Sequence, residues 1–513
     1  MAPILEIHPA IGIARVGNSN DWFVGPEPDG APPTAYRDAL GNLLRQAARF
    51  RIFQCDRADD GTLLSAAEIT ADQAHIEWTV HLVNAKGAAD EFPPVATNPA
   101  QPANRTRNAG HTNRADLVID PGPRTVTGPG QSGVFDTGTF LGSAVPLGQI
   151  RCEANGRLQV LGGFGKSGFV SPDGSPVPIG NFANNDFWYD DMSDGPVGAT
   201  VSLGGTGPAI DAKPARVIVA PPDFAPGIAN LVTLYDIAFE AARERGWRQV
   251  PQQLSFSLHV QPILLRALGY QWVLQLGIQG HSRGAGVGDF ASQWAALADP
   301  SPAHAALRGH AFSTLRDPAQ PVTGDTGFMP RLHTSDYTAF PNAVLRLTRS
   351  QYLILQQWAA GNFVNDLDSP PSPVELLPDG LDRVALQACS GGPFFPGIEV
   401  GRIMADPQTY SEAFRVDAQA HSPGQLTAGN AVPWQADFLA CSVDAQSQLG
   451  WWPAQRPYQI LTQAASNLTK FWHRGVTGYS GMVDEWHELG VVVEARRADG
   501  TTVFVESERR LPG

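Results

Sequence analysis

Alternation of apolar and polar residues marks the first half of the chain. His75–Val83 alternates well and predicts a half-buried strand. Ile4–Val16 alternates in part, and Arg157–Phe164 and Ala215–Ala220 are further strand candidates. Pro221 and Pro222 end the last of these, because proline offers no N–H to a sheet. Beyond residue 229 the period lengthens. Asn230–Arg245 carries Leu231, Leu234, Ile237, Ala238 and Ala241 at helical spacing, with Gly246 as a stop. Ser350–Gly361 repeats the pattern with Tyr352, Leu355 and Trp358. Leu254–Leu268 predicts a helix with Pro262 awkwardly inside it. Val374–Ala388 predicts a short helix leading into Cys389. Arg456–Arg474 predicts a longer one, with Ile460, Leu461, Ala464, Leu468, Phe471 and Trp472 on one side. Val491–Ala495 and Thr502–Glu506, joined by Asp499-Gly500, predict a hairpin. The expected class is α+β in one intertwined unit spanning 1–513. Residues 1–228 form a part rich in strands and long loops. Residues 229–513 form a helix-rich part packed on it.

Composition supports many ordered turns, with 53 Gly and 43 Pro in 513 residues. A net charge of -14 argues against nucleic acid and anionic membranes as partners. No run of apolar residues is long enough to span a bilayer. The start, Met1 to Glu6, lacks the basic and apolar blocks of a secretory leader, so a cytoplasmic setting is expected. Four cysteines (Cys55, Cys152, Cys389, Cys441) are too sparse for a disulfide framework.

Several motifs fail on inspection. Gly162 to Ser167 looks like a phosphate loop, but Val160 stands where its first glycine belongs. Gly284 to Asp289 reads as a loop. The 12 histidines fall into no metal-ligand spacing, and no serine-hydrolase elbow is present. The run from Asn184 to Asp194 holds four carboxylates. Asp190 and Asp191 could offer oxygen to Ca²⁺, although a loop tied by Asx turns is the favoured reading. Cys389 precedes Gly-Gly-Pro-Phe-Phe-Pro-Gly, which cannot continue a helix, so its thiol lies at a helix-to-loop junction. By pattern alone such a cysteine is more often core than chemistry, and tryptophan clusters are more often core than cofactor.

Longer strings carry more information. Ile7 to Ser19, Phe23 to Glu27, Arg45 to Arg51, Ile119 to Arg124, Leu161 to Gly165, Asn184 to Pro196, Ala220 to Gly227, Gln351 to Phe363 and Gly392 to Glu399 resemble, in this order, segments of the quinoprotein lysine ε-oxidase and glycine oxidase family. The likeness runs from about residue 4 to residue 495. It implies a cysteine tryptophylquinone built from the protein's own side chains and used to oxidise amines or amino acids. Cys389 matches the cofactor cysteine. Trp434 is the preferred tryptophan and Trp452 the runner-up. Two features depart from the family pattern. The glycine-rich string after Cys389 differs. The carboxylate expected four residues before it is replaced by Ala385, leaving Asp382 as the nearest upstream acid. A base must take the substrate's α-proton; Asp437 is the first choice and Asp186 the second. The resemblance also implies reaction with dioxygen and a flavoprotein that matures the tryptophan, and a homo-oligomer is expected. The competing readings are a same-fold enzyme tailoring an amine-bearing metabolite, and a scaffold with uncrosslinked Cys389.

Overall fold

The computed structural model describes residues 4–512 except 29, 59–60, 92–104, 275–276, 278–279, 282–287, 321–327, 331–344, 372–377, 393–396 and 445–452; for 441–444 it describes the backbone alone.

The alternating segments form strands. Leu5–His8 and Ile11–Arg15 are two strands joined through Pro9 and Ala10, and every residue in them is buried. Ala215–Ala220 is likewise buried throughout and pairs in parallel with Ile11–Arg15. Strands covered on both faces have no polar face to show, which is why this part of the sheet alternates weakly. Ala74–Val80 has one face in the core and alternates as its sequence predicts. The long strand Arg45–Arg57 takes Leu5–His8, Leu63–Ile69 and Leu158–Gly162 as antiparallel partners. Together these belong to a sheet of thirteen strands. Its main path runs from Arg124–Val126 to Ser132–Phe135. Those two ends meet, with Arg124 Nε donating to the Val134 carbonyl at 2.7 Å, so the sheet curls into a barrel-like shape around Phe50, Trp78 and Val217.

Helices follow in the second half. Leu234–Glu244 starts at Thr233, whose hydroxyl and the Asp236 carboxylate cap each other's backbone N–H groups. Arg349–Ala359 starts the same way with Thr348 and Gln351. Residues 254–268 are not one helix. They form a short strand, Leu254–Ser255, one π turn over Phe256–Val260, and the helix Gln261–Gly269. Pro262 thereby falls in the first helical turn, where a missing N–H costs no hydrogen bond.

The predicted helix over Arg456–Arg474 is absent. Gln459–Leu461 and Thr469–Phe471 are antiparallel strands. Gln459–Leu461 also pairs with Thr502–Ser507, which forms the terminal hairpin with Val491–Arg496. Ile460 and Leu461 are buried but Leu468 is 80% exposed, so the supposed apolar helix face does not exist. Pairing with the distant hairpin wins over local spacing. The second half thus adds a four-stranded sheet to its helices.

Candidate active site

The helix Pro378–Gln387 packs on Ile11–Arg15 and ends just before Cys389. Two backbone bonds then lay Cys389–Gly391 along Val232–Leu234: Leu234 N donates to the Cys389 carbonyl at 3.1 Å, and Gly391 N to the Val232 carbonyl at 2.9 Å. Gly391 is required by contact, since a Cβ there would lie 2.2 Å from the Thr233 carbonyl oxygen.

The Cys389 thiol is fully buried. Its Sγ lies 3.4 Å from the Ala385 carbonyl and 3.9 Å from Arg15 Nη2. The same nitrogen is 2.7 Å from Glu399 Oε1 and donates to the Ala388 carbonyl at 3.2 Å. Arg15 Nη1 donates to the Pro221 carbonyl at 2.9 Å. The other Glu399 oxygen accepts the Ser390 N–H at 3.1 Å. Burial, then the charge of Glu399, pushes the thiol far above its ordinary range, against the pull of Arg15. Burial also raises Glu399 and Asp223, and Arg15 opposes it in both cases. One guanidinium therefore serves two carboxyl groups and a thiol.

Trp434 opens the helix Trp434–Asp444. Its backbone N–H donates to Asp190 Oδ2 at 3.1 Å. Asp190 is itself held by the Lys86 ammonium at 2.8 and 3.0 Å and by Asn84 Nδ2 at 3.1 Å, all buried. The indole ring stands edge-on to Phe438 and Trp486, with centroids 4.9 and 5.4 Å away. Its Nε1 is buried without a hydrogen-bond partner among the described residues.

Three links tie this helix to the cysteine. Asn430 Nδ2, four residues before Trp434, donates to the Glu399 carbonyl at 2.9 Å. Phe438 meets Phe224, the neighbour of Asp223, at 6.5 Å. A Cβ on Gly397 would fall 2.1 Å from Asp437 Oδ2, so the segment after Cys389 presses on the first turn of this helix.

The sequence candidates sort accordingly. Cys389, Trp434 and Asp437 are all buried and are connected through the intervening groups just described, and Asp437 lies inside the first turn rather than at the cap position. Trp452 lies outside the described residues. Asp382 accepts from His8 Nδ1 at 2.9 Å and from the Ala10 N–H at 2.6 Å. Asp186 is paired with Arg105 at 2.8 Å and accepts the Asn108 N–H at 2.6 Å. The residues missed as chemistry are Arg15, Asp223 and Glu399. Their signal was a charged residue closing an apolar strand and acids flanking proline- and glycine-rich turns.

In the acidic run two of the four carboxylates are paired with buried cations. Lys86 neutralises Asp190, and Arg216 pairs with Asp194. Asp191 accepts the Lys166 N–H at 3.1 Å, has a buried Oδ1 with no partner among the described residues, and is pushed up to about 7 by burial and by Asp190. It also abuts Gly163, where a Cβ would sit 2.3 Å from its Oδ2, so the glycine-rich turn faces a carboxyl group and not a phosphate. A cavity of about 370 Å³ opens between His75, Cys152 and Gly204, and none of these carboxylates lines it.

Models of the two domains of L-lysine ε-oxidases match this chain. The N-terminal domain matches residues 8–219 and the C-terminal domain residues 330–463. The chain belongs to the L-lysine ε-oxidase family. As a member it is an enzyme, an oxidoreductase. The L-lysine 6-oxidase of Marinomonas mediterranea is 27% identical over 680 residues, covering 98% of this chain and 89% of the relative. The crystal structure of the L-Lys ε-oxidase from that organism aligns with a TM-score of 0.76 at 24% identity, over 99% of this chain and 95% of the other. The structure of that enzyme's Schiff base intermediate with L-Lys gives the same values. Arg15, Cys389, Glu399, Trp434 and Asp437 all fall within the matched domains.

Proposed function

We propose that this enzyme oxidatively deaminates a primary amine or amino acid, reducing dioxygen to hydrogen peroxide and releasing ammonia, with a cysteine tryptophylquinone made from Cys389 and Trp434. One observation carries the reading. A buried free thiol and a buried indole whose N–H has no partner among the described residues are linked through Ser390, Glu399 and Asn430. A buried N–H without a partner is costly in an ordinary core, and it suits a ring whose surroundings serve a modified form. Once formed, the quinone supplies an electrophilic carbonyl and an electron sink.

The chain's own residues do the rest. Arg15 holds charge beside the sulfur and keeps Glu399 and Asp223 compensated in a dry interior. Asp190, clamped by Lys86, fixes the start of the tryptophan helix. Asp437 is the carboxylate we assign to accept the substrate's α-proton. A basic amine must arrive neutral to act as nucleophile, so a nearby carboxylate also gives its ammonium proton somewhere to go. L-lysine, the substrate in the relative's name, is the first amine to test.

The test is coexpression with a flavoprotein maturation partner, followed by peptide mapping. A peptide joining Cys389 to Trp434, a visible quinone absorption and peroxide release from an amine panel are expected. A free Cys389 thiol in matured protein would overturn the proposal, and a link to Trp452 would move the cofactor to that ring.

A further inference from the structure

A second thiol stands in a chemically different setting. Cys55, on Arg45–Arg57, is buried against Leu5–His8. The Cys55 sulfur, a His8 ring nitrogen and a Glu6 carboxylate oxygen all lie within 4.8 Å of one another. His8 Nδ1 is 2.9 Å from Asp382 Oδ1, and Nε2 is 3.2 Å from Glu6 Oε2. Burial opposes a charge on this ring. Asp382 first, then Cys55 and Glu6, overcome that and hold it as an imidazolium up to about 10. Arg57 Nη2 lies 2.9 Å from Glu6, and its charge also acts on Cys55. Lys213 is 3.1 Å from Glu6, and Arg415 Nη2 is 3.4 Å from His8 Nε2. Asp379 and Glu412 complete the ring of charges, on Arg57 and Lys213 respectively.

The other described free cysteines lack an imidazole partner, and the one guanidinium at Cys389, that of Arg15, is already paired with Glu399. Burial and Glu153 push Cys152 up, and burial with Glu399 pushes Cys389 up. Only at Cys55, among the described thiols, do a cationic imidazole and a guanidinium stand where a thiolate's charge would be received. The three cations around Glu6 and His8, namely Arg57, Lys213 and Arg415, and the use of both ring nitrogens, disfavour a divalent metal here.

We propose that Cys55, with His8 as its activating partner and Asp382 orienting His8, is a peroxide-reactive cysteine. The sulfur attacks one oxygen of hydrogen peroxide. The O–O bond breaks and an S–O bond forms. The thiol proton leaves with the departing oxygen as water. Sulfur is oxidised by two electrons and peroxide is reduced by two, so a thiol and H₂O₂ give a sulfenic acid and H₂O. Phe53 and Leu381 pack with Cys55, and Phe53 also stands edge-on to the His8 ring, so an added oxygen would press on the His8–Asp382 contact. Asp382 belongs to the helix that delivers Cys389, and the modification thus reaches the active site from outside it. That peroxide would be made by this same enzyme rests on the function proposed above; the reactivity of Cys55 does not.

The matured protein is treated with added peroxide, and each cysteine peptide is read for a mass gain of one oxygen. Cys55 is expected to gain it about tenfold faster than Cys152. Asp382→Asn and His8→Gln are each expected to slow Cys55 about tenfold while leaving Cys152 unchanged, which controls for loss of fold. Oxidation of Cys55 no faster than of Cys152 in the folded wild type would overturn the proposal. So would stoichiometric metal whose removal by a chelator is needed before Cys55 reacts. A protein that oxidises no amine but still shows fast Cys55 would sink the proposed function and leave this inference standing.

Discussion

Cys389 depends on a residue 374 positions away, because Arg15 is the described cation that reaches its sulfur and both of the neighbouring carboxyl groups. Arg15→Met would leave Glu399 and Asp223 buried without compensation. A loss of about 3–5 kcal/mol in chemical denaturation is expected. Glu399→Gln keeps the shape and an acceptor for Ser390, so the fold should persist. The yield of the Cys389–Trp434 link should still fall, because a carboxylate that could take the thiol's proton is gone. Complete crosslinking in that variant, read by peptide mass, would remove Glu399 from cofactor assembly. Asp191 gives a pH prediction. In the native protein it keeps its proton up to about pH 7, whereas in the unfolded chain it releases it near pH ~4. Between these values the native state binds more protons, so its stability falls as pH rises. Asp191→Asn should lack that slope and gain on the wild type across the window, by an amount on the order of 4 kcal/mol at its upper limit. Parallel stability curves for the two proteins would refute it. At this scale Cys389 could be named as a candidate by the string that follows it, and Trp434 and Asp437 only as preferences among alternatives. Arg15, Asp223 and Glu399 could not be named, because their meaning is a contact that only the folded chain makes.

Apolar spacing and glycine stops made whole helices readable, while their caps emerged only in the structure. Thr233 with Asp236 starts the first helix four residues inside its predicted start, Thr348 with Gln351 starts the second one residue before its predicted start, and Gly361 ends the second at φ 83°. The segment 456–474 shows the opposite case. Its apolar residues satisfy a helical period by number, yet the partner that decides their conformation is a hairpin some thirty residues later. Asp499-Gly500, with Gly500 at φ 83°, made that hairpin itself plain from sequence. The elements around Trp434 carry a prediction of their own. Lys86 bonds Asp190 and the Ala431 carbonyl, and Asp190 bonds the Trp434 N–H. Lys86→Met would strand a buried carboxylate under the helix start, with an expected cost of about 3–5 kcal/mol. The double change Lys86→Met with Asp190→Leu should recover part of it, since the unpaired charge goes with its partner. If the double variant is no more stable than the single one, the cost lies in packing instead.

The whole molecule was legible in class and obscure in closure. Alternation pointed to a strand-rich first half and longer periods to later helices, but no local pattern says that Arg124–Val126 and Ser132–Phe135 meet to curl the sheet. No described helix is long and apolar enough to cross a membrane. What the molecule does present over long distance is charge, -14 in total. Primary amines are cationic at neutral pH, so on the proposed function the protein's field draws its substrate in. The reach of that field shrinks from about 30 Å at 0.01 M salt to about 3 Å at 1 M. The second-order constant kcat/KM for a substrate of net positive charge should therefore fall as salt is raised, by about tenfold across that range. A zwitterionic amino acid of no net charge should show little change, and kcat at saturation should not move for either. A salt response equal for both substrates would mean that ions act on the active site, for example on the Arg15–Glu399 pair, and not on the approach. Stopped-flow peroxide release at two salt concentrations separates these outcomes.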